Sequence, residues 1–223
     1  MPKAPMTQEE IDATRGRILD TALQIIIEEG FDNLSIRKIA SRLGVTATTI
    51  YNYYASKDEL NLMIRIRGFE TLHALLTKRA QGLSSMERQF SEMIGAYIEF
   101  GVTYPSYYDI MFNLKTPKYL DYVGSAMEPM AHHEKQTALK CMALFVEPIS
   151  DYIPGKSTGK DVFVRYQFVR FWSDLHGVIT LRNSRLFHEV IDDVDGFIEK
   201  RKESLVADFL LLKERIDKGE TFF

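Results

Sequence analysis

Two sets of residues have the types that metal or phosphate chemistry requires, but neither has the spacing of a known site. Glu128, His132, His133 and Glu134 bring metal-ligating side chains close together in the sequence, yet the Glu-x-x-His pair of di-iron helical bundles is absent. The run Pro-Gly-Lys-Ser-Thr-Gly at 154–159 lacks the spacing of a phosphate-binding loop and has no strand before it. We interpret the first set as solvated residues near a helix start and the second as an interhelical linker.

A third segment has the residue types that bind DNA phosphates. Residues 33–57 contain no acidic residue and four basic ones, Arg37, Lys38, Arg42 and Lys57, whereas residues 1–67 hold nine of each sign. Lys57 follows a serine that can cap a helix, so its ammonium and the free amides of the helix start could share one phosphate. The net charge of -3 and pI of about 6.0 exclude a globally basic nucleic-acid binder but not this local patch.

The elements that position this patch are two short helices joined by a tight turn. Ser35 can cap a helix ending at Leu43, Gly44 permits the positive backbone angle of a turn, and Thr46 can cap a second helix. Small, turn-forming and β-branched residues recur where the two helices would cross, at Ala40, Gly44, Val45 and Ile50. The pattern predicts a helix-turn-helix over residues 35–54, whose second helix enters the major groove.

Apolar residues recur at helical spacing along the rest of the chain. Capping boxes predict helix starts at Thr7–Glu10, Ser56–Glu59 and Ser84–Glu87, and a helix is expected over 125–152. Breaks are expected before Pro105, at 154–160 and at 183–185. With 223 residues and 45% apolar content, the chain can bury a core. We predict an all-α protein in which an N-terminal three-helix DNA-binding domain precedes a larger helical domain.

The segment G-V-T-x-x-T-I-Y-x-Y-Y-x-S-K-D-E-L, from Gly44 to Leu60, resembles the TetR family of transcriptional regulators. Gly30 and Phe31 and the helix before them fit the same family, so the resemblance covers about residues 12–72. Tyr53 stands where the family often has histidine, but a phenol can also donate to phosphate. The resemblance implies a DNA-binding domain at 12–72, a ligand-binding and dimerisation domain at 73–223, a homodimer, and repression that a ligand relieves.

The resemblance also assigns roles within the DNA-binding segment. The residues expected to face base edges or the adjacent backbone are Thr46, Ala47, Thr48 and Asn52. Those expected to position phosphates are Tyr51, Tyr53 and Lys57. Arg37 is expected to reach base or backbone from the supporting helix, and Tyr54 is expected in the core. For Lys38 and Arg42, a solvated face and a DNA contact both remain open.

Aromatic and sulfur-containing side chains are dense in the C-terminal part of the chain. Residues 68–223 carry 19 basic and 22 acidic residues, which does not favour DNA binding there. The resemblance implies a pocket for an apolar or aromatic effector, with plain core packing as the alternative. The candidate pocket residues are Tyr97, Tyr104, Tyr108, Met111, Phe112, Tyr122, Met127, Phe168, Trp172 and His176.

The last two long amphipathic segments have wide apolar stripes, and a monomer would expose one of them. The resemblance implies that these helices pair with their copies in a homodimer. The sequence therefore predicts a ligand-responsive dimeric regulator, favoured as a repressor, that binds a palindromic double-stranded operator in the cytoplasm. No cofactor, metal, membrane partner or enzymatic activity is expected. The alternatives are a small-molecule carrier without specific DNA recognition and, with less support, an all-α enzyme.

Overall fold

A computed structural model describes residues 6–152 and 158–218, and over these residues it contains helices and no strand. The predicted all-α fold is confirmed. The helices are α1 (Gln8–Glu29), α2 (Ile36–Leu43), α3 (Ala47–Tyr51), α4 (Lys57–Ala80), α5 (Met86–Thr103), α6 (Pro105–Tyr108), α7 (Tyr119–Tyr122), α8 (Glu128–Tyr152), α9 (Thr158–Asn183) and α10 (Val194–Asp217). Short 3₁₀ segments occupy Phe31–Asn33 and Leu186–Glu189, and a π-helical turn occupies Asp109–Asn113.

The chain divides into two compact units. The first contains the chain up to Glu70 together with Ser106–Ala138, and the second contains Thr71–Pro105 and the chain from Leu139 onward. Helices α4 and α8 each contribute residues to both units. The segment from residue 106 to 138 is thus compact with the N-terminal helices, although the sequence groups it with the C-terminal part. The functional boundary at residue 72 stays a prediction.

Helices α1 to α3 of the first unit share a core of aliphatic side chains. The predicted capping box of α1 is confirmed: Thr7 Oγ1 accepts from Glu10 N at 3.2 Å, and the Glu10 carboxylate accepts from Thr7 N at 2.8 Å. Each fully buried aliphatic side chain contributes about 1.5–3 kcal/mol relative to exposure. The fully buried side chains of this core include Ile18, Ile25, Ile26, Ile39 and Ile50.

The segment from residue 106 to 138 packs against α4 within the first unit. A Cβ on Gly68 would lie 2.5 Å from the Met111 sulfur, so the glycine allows this close approach. The rings of Phe69 and Phe112 meet edge to face at 5.8 Å. A further buried cluster consists of Leu62, Tyr122 and Ala131.

In the second unit, α5 packs against α9 and α10. The Phe90 ring lies at the centre, with centroid distances of 4.1 Å to Phe209 and 5.0 Å to Phe171. A Cβ on Gly101 would lie 2.5 Å from Ile179 Cγ2, so α5 and α9 approach closely at this glycine. Aromatic and aliphatic packing at these helix crossings supplies the core of the unit.

Two predicted helix starts differ from those observed. Helix α5 is capped by Ser85, whose Oγ accepts from Arg88 N at 3.5 Å, and not by Ser84. Two adjacent serines offer the same cap, and only the packing of the following apolar stripe selects between them. Helix α8 begins at Glu128, three residues after the predicted start at Ser125. Ser125 instead belongs to a turn, in which its Oγ accepts from Met127 N at 3.1 Å.

The predicted stops before Pro105 and at 183–185 are confirmed by the ends of α5 and α9. Of the predicted linker at 154–160, residues 154–157 lie outside the described residues. Residues 158–160 are the first residues of α9, so this part of the linker prediction is wrong. Among the described helices, none combines the length and apolar character that a bilayer crossing needs.

Candidate nucleic-acid interface

The backbone of α2, the turn and α3 has the geometry that the sequence predicts. Ser35 Oγ accepts from Lys38 N at 3.2 Å, and Thr46 Oγ1 accepts from Thr49 N at 3.2 Å, so both short helices have side-chain caps. Gly44 adopts the left-handed conformation at φ 67°, which a side chain would strain. The sequence prediction of a helix-turn-helix is therefore confirmed.

Helix α3 presents short polar side chains and one aromatic side chain to solvent. Ile50 is fully buried against the supporting helices, which fixes which side of α3 faces outward. The Tyr51 side chain is 57% exposed, whereas Tyr54 is 3% exposed and belongs to the core, as predicted. The exposed residues on and beside α3 are Thr46, Thr48, Tyr51 and Asn52, and Ala47 and Tyr53 are partly exposed. Side chains of these types can reach base edges and phosphates.

The residues predicted to position phosphates lie at the ends of neighbouring helices. Lys57 is the first residue of α4, and its Nζ lies 4.7 Å from the centroid of the Phe31 ring. Ser56 Oγ accepts from Glu59 N at 3.0 Å, while the Glu59 carboxylate accepts from Ala55 N, and not from Ser56 N as the capping box predicts. The ammonium thus stands beside a capped helix N-terminus, where a phosphate would be stabilised by both.

Two further predicted contacts flank this site. The Tyr53 hydroxyl donates to the Met6 sulfur at 3.3 Å, which links the end of the helix-turn-helix to the start of the described chain. Arg37 is exposed on α2, and no ion pair joins it to a carboxylate among the residues that the structure describes. Both side chains therefore remain candidates for phosphate or base contacts.

Lys38 and Arg42, the other two cations of the acid-free window, are paired with carboxylates. Lys38 Nζ lies 2.5 Å from Glu29 Oε2, and Arg42 Nη2 lies 2.7 Å from Glu28 Oε2 and 2.9 Å from Glu29 Oε1. The hydrogen bond that Lys38 donates to Glu29 lowers the pKa of Glu29, and the hydrogen bond that Arg42 donates to Glu28 raises the pKa of Arg42. Sequence reasoning missed these partners because they lie just before the window, in the last turn of α1.

A buried ion pair joins α4 to α8 within the first unit. Arg65 Nη2 lies 2.6 Å from Glu134 Oε1, with 6% and 3% of the side chains exposed, and Arg65 Nη1 donates to the carbonyls of Ile110 and Met111 at 3.2 and 3.3 Å. The interpretation of Glu134 as a solvated residue is therefore wrong. Helical periodicity places it on the same side of α8 as the buried Ala131.

The other residues of that predicted acidic and histidine cluster are arranged as expected. His132 and His133 are exposed, and the Glu128 carboxylate accepts from Gly124 N at 2.7 Å. Across the described part of the chain, no group of three or more potential metal-ligating side chains is brought together.

A second polar contact joins the first turns of α4 to α7. Asn61 Nδ2 donates to the Tyr122 hydroxyl at 3.3 Å, and that hydroxyl donates to Asp58 Oδ1 at 3.1 Å. Burial raises the pKa of Tyr122 to about 12, so the hydroxyl stays protonated and can donate. Sequence reasoning did not single out Asn61 or Arg65; a polar residue inside an apolar helical stripe is the signal that could have found them.

The predicted effector residues of the first unit are packed against one another and against residues of α4 and α8. Tyr108 and Met111 are buried, and the Tyr108 and Phe112 rings lie 4.9 Å apart. Tyr122 is buried in the cluster with Leu62, and Met127 packs against that cluster. Core packing and contact with a ligand both suit side chains in this arrangement.

The predicted effector residues of the second unit form a stack along α9. Trp172 Nε1 donates to the Tyr97 hydroxyl at 2.7 Å, and the Trp172 ring lies 6.3 Å from Phe168 and 6.0 Å from His176. Burial lowers the pKa of His176 below its ordinary value, which favours the neutral imidazole at pH 7. Tyr104 is 41% exposed and lies outside this stack, with its ring 5.6 Å from Phe100.

A surface groove of about 440 Å³ also lies in the second unit. Its floor is apolar and its rim carries both signs of charge, including the ion pair of Arg182 with Asp195 at 3.3 Å. The floor includes Ile98, Val102 and Ile198. None of the predicted effector residues lines this groove.

Comparison with known proteins defines the class to which this fold and interface belong. Residues 18–62 match the profile of bacterial regulatory proteins of the tetR family, and residues 90–205 match the tetracyclin repressor-like C-terminal domain. The second match alone covers more than half of the chain. The protein belongs to the TetR family of transcriptional regulators, and the predicted family is confirmed.

Particular relatives agree with this assignment. An uncharacterised HTH-type transcriptional regulator of Mycobacterium tuberculosis is 25% identical over 186 residues, which cover 82% of this chain and 74% of the relative. The HTH-type transcriptional repressor KstR of Mycolicibacterium smegmatis is 31% identical over 81 residues, or 36% of this chain and 40% of KstR. The crystal structure of the regulatory protein SCO4313 has the same fold, with a TM-score of 0.69, 18% identity, and coverage of 91% of this chain and 100% of that one.

Proposed function

We propose that this DNA-binding regulator is a ligand-responsive homodimeric repressor that binds a palindromic operator and is released by a small apolar or aromatic effector. The observation that carries the proposal is the outward face of α3, where Thr48, Tyr51 and Asn52 are exposed beside capped helix ends. No partner within the described residues covers these side chains, and their types suit DNA. Residues 12–72 would form the DNA-binding part and residues 73–223 the regulatory part.

Base readout would rest on the small side chains of α3. Thr46, Ala47 and Thr48 favour methyl contacts with thymine and single hydrogen bonds, and Asn52 can pair with adenine. Tyr51, Tyr53 and Lys57 would fix the register on phosphates. Arg37, free of carboxylates among the described residues, would add a contact from α2.

Dimerisation has support in the exposed side of α9. Val162, Tyr166 and Val169 are at least half exposed and follow one another at spacings of four and three, so they form one apolar row. A second copy of the chain would cover this row. The two recognition helices of such a dimer would enter successive major grooves about 34–36 Å apart, which accounts for a palindromic operator.

An effector of apolar or aromatic character would suit the rings of the predicted pocket residues. The stack of Phe168, Trp172 and His176 offers ring faces, and the Tyr97 hydroxyl offers a polar group for orientation. Binding would shift the population between a DNA-competent and a released dimer geometry. KstR, the relative named above, is a repressor, whereas FasR of Mycolicibacterium smegmatis, 24% identical over 40% of this chain, is an activator. The reporter assay therefore decides the sign of regulation.

Selection of random duplexes by the purified chain at about 0.15 M salt, followed by sequencing, tests the DNA part of the proposal. We expect enrichment of a two-fold symmetric site, which then serves in a reporter assay of repression and in a screen for compounds that release it. If the chain shows only weak, salt-sensitive binding without enrichment, the selection is repeated in cell extract, which supplies a corepressor. The same result in extract would favour the carrier alternative. If expression of the reporter rises when the regulator is present, the protein is an activator and the repressor part of the proposal is wrong.

A further inference from the structure

Helix α2 carries two exposed rows of side chains on the side away from its core. Ile36, Ile39 and Ala40 are buried. Residues four apart share a row on a helix, so Arg37 and Ser41 form one row, and Lys38 and Arg42 form the other. In a helix-turn-helix the first helix crosses the DNA backbone, so cations in either row lie on a helix that approaches phosphates.

The two rows differ in electrostatic state. Both cations of the second row are held by carboxylates of α1, at 2.5 Å for Lys38 to Glu29 and 2.7 Å for Arg42 to Glu28. Between 33% and 52% of each of these four side chains is exposed, so the pairs are in contact with solvent and accessible to a competing phosphate.

A purely stabilising role gives a poor account of the two glutamates. They occupy the last turn of α1, which contains no basic residue and where the helix dipole disfavours negative charge. Exposed ion pairs add little to stability. Their larger consequence is that two cations next to the DNA-binding helix are already neutralised.

We propose that Glu28 and Glu29 are positioning residues that restrain Lys38 and Arg42 and thereby limit the sequence-independent affinity for DNA. Sequence-independent binding comes from cations that neutralise phosphates and release counterions. A cation held by a carboxylate must leave that partner before it can do so, which reduces the gain from each contact. Base-edge contacts of α3 then supply a larger part of the operator affinity. This inference rests on the proposed DNA binding.

The test is the salt dependence of binding for the wild type and for E28Q/E29Q. Affinity for a random duplex and for the selected operator is measured from about 50 to 200 mM salt, where each neutralised phosphate contributes a slope of about -0.9. We expect E28Q/E29Q to bind both duplexes about three to ten times more tightly. The slope should steepen by up to about 1.8 because two cations become available.

Two further variants separate this effect from net charge. D32N/E70Q also removes two negative charges, but from other exposed positions of the same unit. It should leave the salt slope nearly unchanged. E28Q/E29Q/K38Q/R42Q lacks the released cations and should return to the wild-type slope. Circular dichroism confirms folding, and E29Q replaces the double variant if that one is unfolded.

An unchanged slope in E28Q/E29Q, or an equal increase in D32N/E70Q, would overturn the inference while leaving the proposed function intact. Failure of the wild type to bind any duplex would overturn both. A loss of thermal stability without a gain in affinity would assign the glutamates a structural role instead.

Discussion

The side chains of α3 and the rings around Trp172 differ in how many of their contacts lie within the chain. On α3, the hydroxyl of Thr48 and the ring of Tyr51 face solvent. In the second unit, the Trp172 indole already has the Tyr97 hydroxyl at 2.7 Å and neighbouring rings within 6.3 Å. The side chains of α3 are therefore available to a partner from outside the chain, whereas the rings around Trp172 have their contacts within it.

This difference shows which functional assignments a static structure can support. An exposed, acid-free polar surface on a helix-turn-helix has few structural roles, so it supports DNA binding directly. The half-buried aromatic stack around Trp172 contributes to stability through its contacts within the chain, so it supports a ligand site less directly. Substitutions sharpen the contrast when they affect stability in one region and binding in the other.

The largest effect on stability is expected from Glu134→Gln. It leaves the Arg65 charge buried without its carboxylate, and breaking a buried pair lowers the free energy of unfolding by about 3–5 kcal/mol. The matched control is the exposed pair of Arg67, which like Arg65 is on α4, with Asp20 of α1 at 3.0 Å. Asp20→Asn should lower the free energy of unfolding by about 1 kcal/mol or less. Urea denaturation measures both, and equal small losses would show that the Arg65 site is hydrated.

A smaller loss of stability is expected from Tyr97→Phe. The substitution removes the acceptor for the part-buried Trp172 Nε1, and the loss of such a hydrogen bond costs about 0.5–1.5 kcal/mol. Tyr51→Phe, on the exposed recognition surface, should change the free energy of unfolding by less than about 0.5 kcal/mol. Trp172 is the one tryptophan of the chain, so its fluorescence reports unfolding at this stack. A Tyr97→Phe variant that keeps its stability but no longer responds to effector would show that this hydroxyl serves effector binding and not folding.

On the recognition surface, Lys57→Ala and Thr48→Ala should affect binding in different ways. Lys57→Ala removes the proposed phosphate contact, so it should weaken binding to all duplexes alike and reduce the salt slope by about 0.9. Thr48→Ala removes the proposed base-edge contact, so it should reduce the discrimination between bases by about 1 kcal/mol at one operator position. Duplex selection with each variant measures both effects. Equal loss of sequence preference in the two variants would contradict the assignment of roles.

The helix-turn-helix could be predicted from the sequence because its determinants are local. Ser35, Gly44 and Thr46 act on backbone groups within a few residues of themselves, and the observed caps and turn are those the residue types require. The exposure of Tyr51 and the burial of Tyr54 were predicted instead from the family resemblance, because Tyr54 lies beyond the end of α3 and helical spacing does not place it.

The ion pairs and the buried polar contacts could not be predicted because they join distant residues. The acid-free window begins after Glu28 and Glu29, and only the packing of α1 against α2 brings these carboxylates to Lys38 and Arg42. Arg65 and Glu134 are 69 residues apart in the chain, so neither their burial nor their pairing has a local signature. Helical periodicity indicated a buried side for α8 but gave no partner for an acid on it.

The smallest effect concerns Lys118, a half-buried cation that contrasts with the exposed cations of the recognition surface. Its Nζ donates to Thr116 Oγ1 at 2.9 Å, and burial together with the charge of Arg65 lowers its pKa to about 8. In the unfolded chain a lysine has a pKa of about 10.4. Between these values the unfolded chain binds more protons, so stability should rise with pH.

Unfolding measured from about pH 7.5 to 9.5 in the wild type and in Lys118→Gln isolates this contribution. The wild type should gain stability relative to the variant as pH rises through the folded pKa of about 8. Other groups whose titration in this range differs between the folded and unfolded chain are present in both proteins and cancel in the difference. The Cys141 thiol is one, because burial raises its pKa to about 12 only in the folded chain. Lys115→Gln, at an exposed position nearby, should show no such trend. If the wild type instead loses stability relative to Lys118→Gln over this range, the folded state favours the charged form of Lys118 over the neutral form. An anionic group would then compensate the burial of the ammonium.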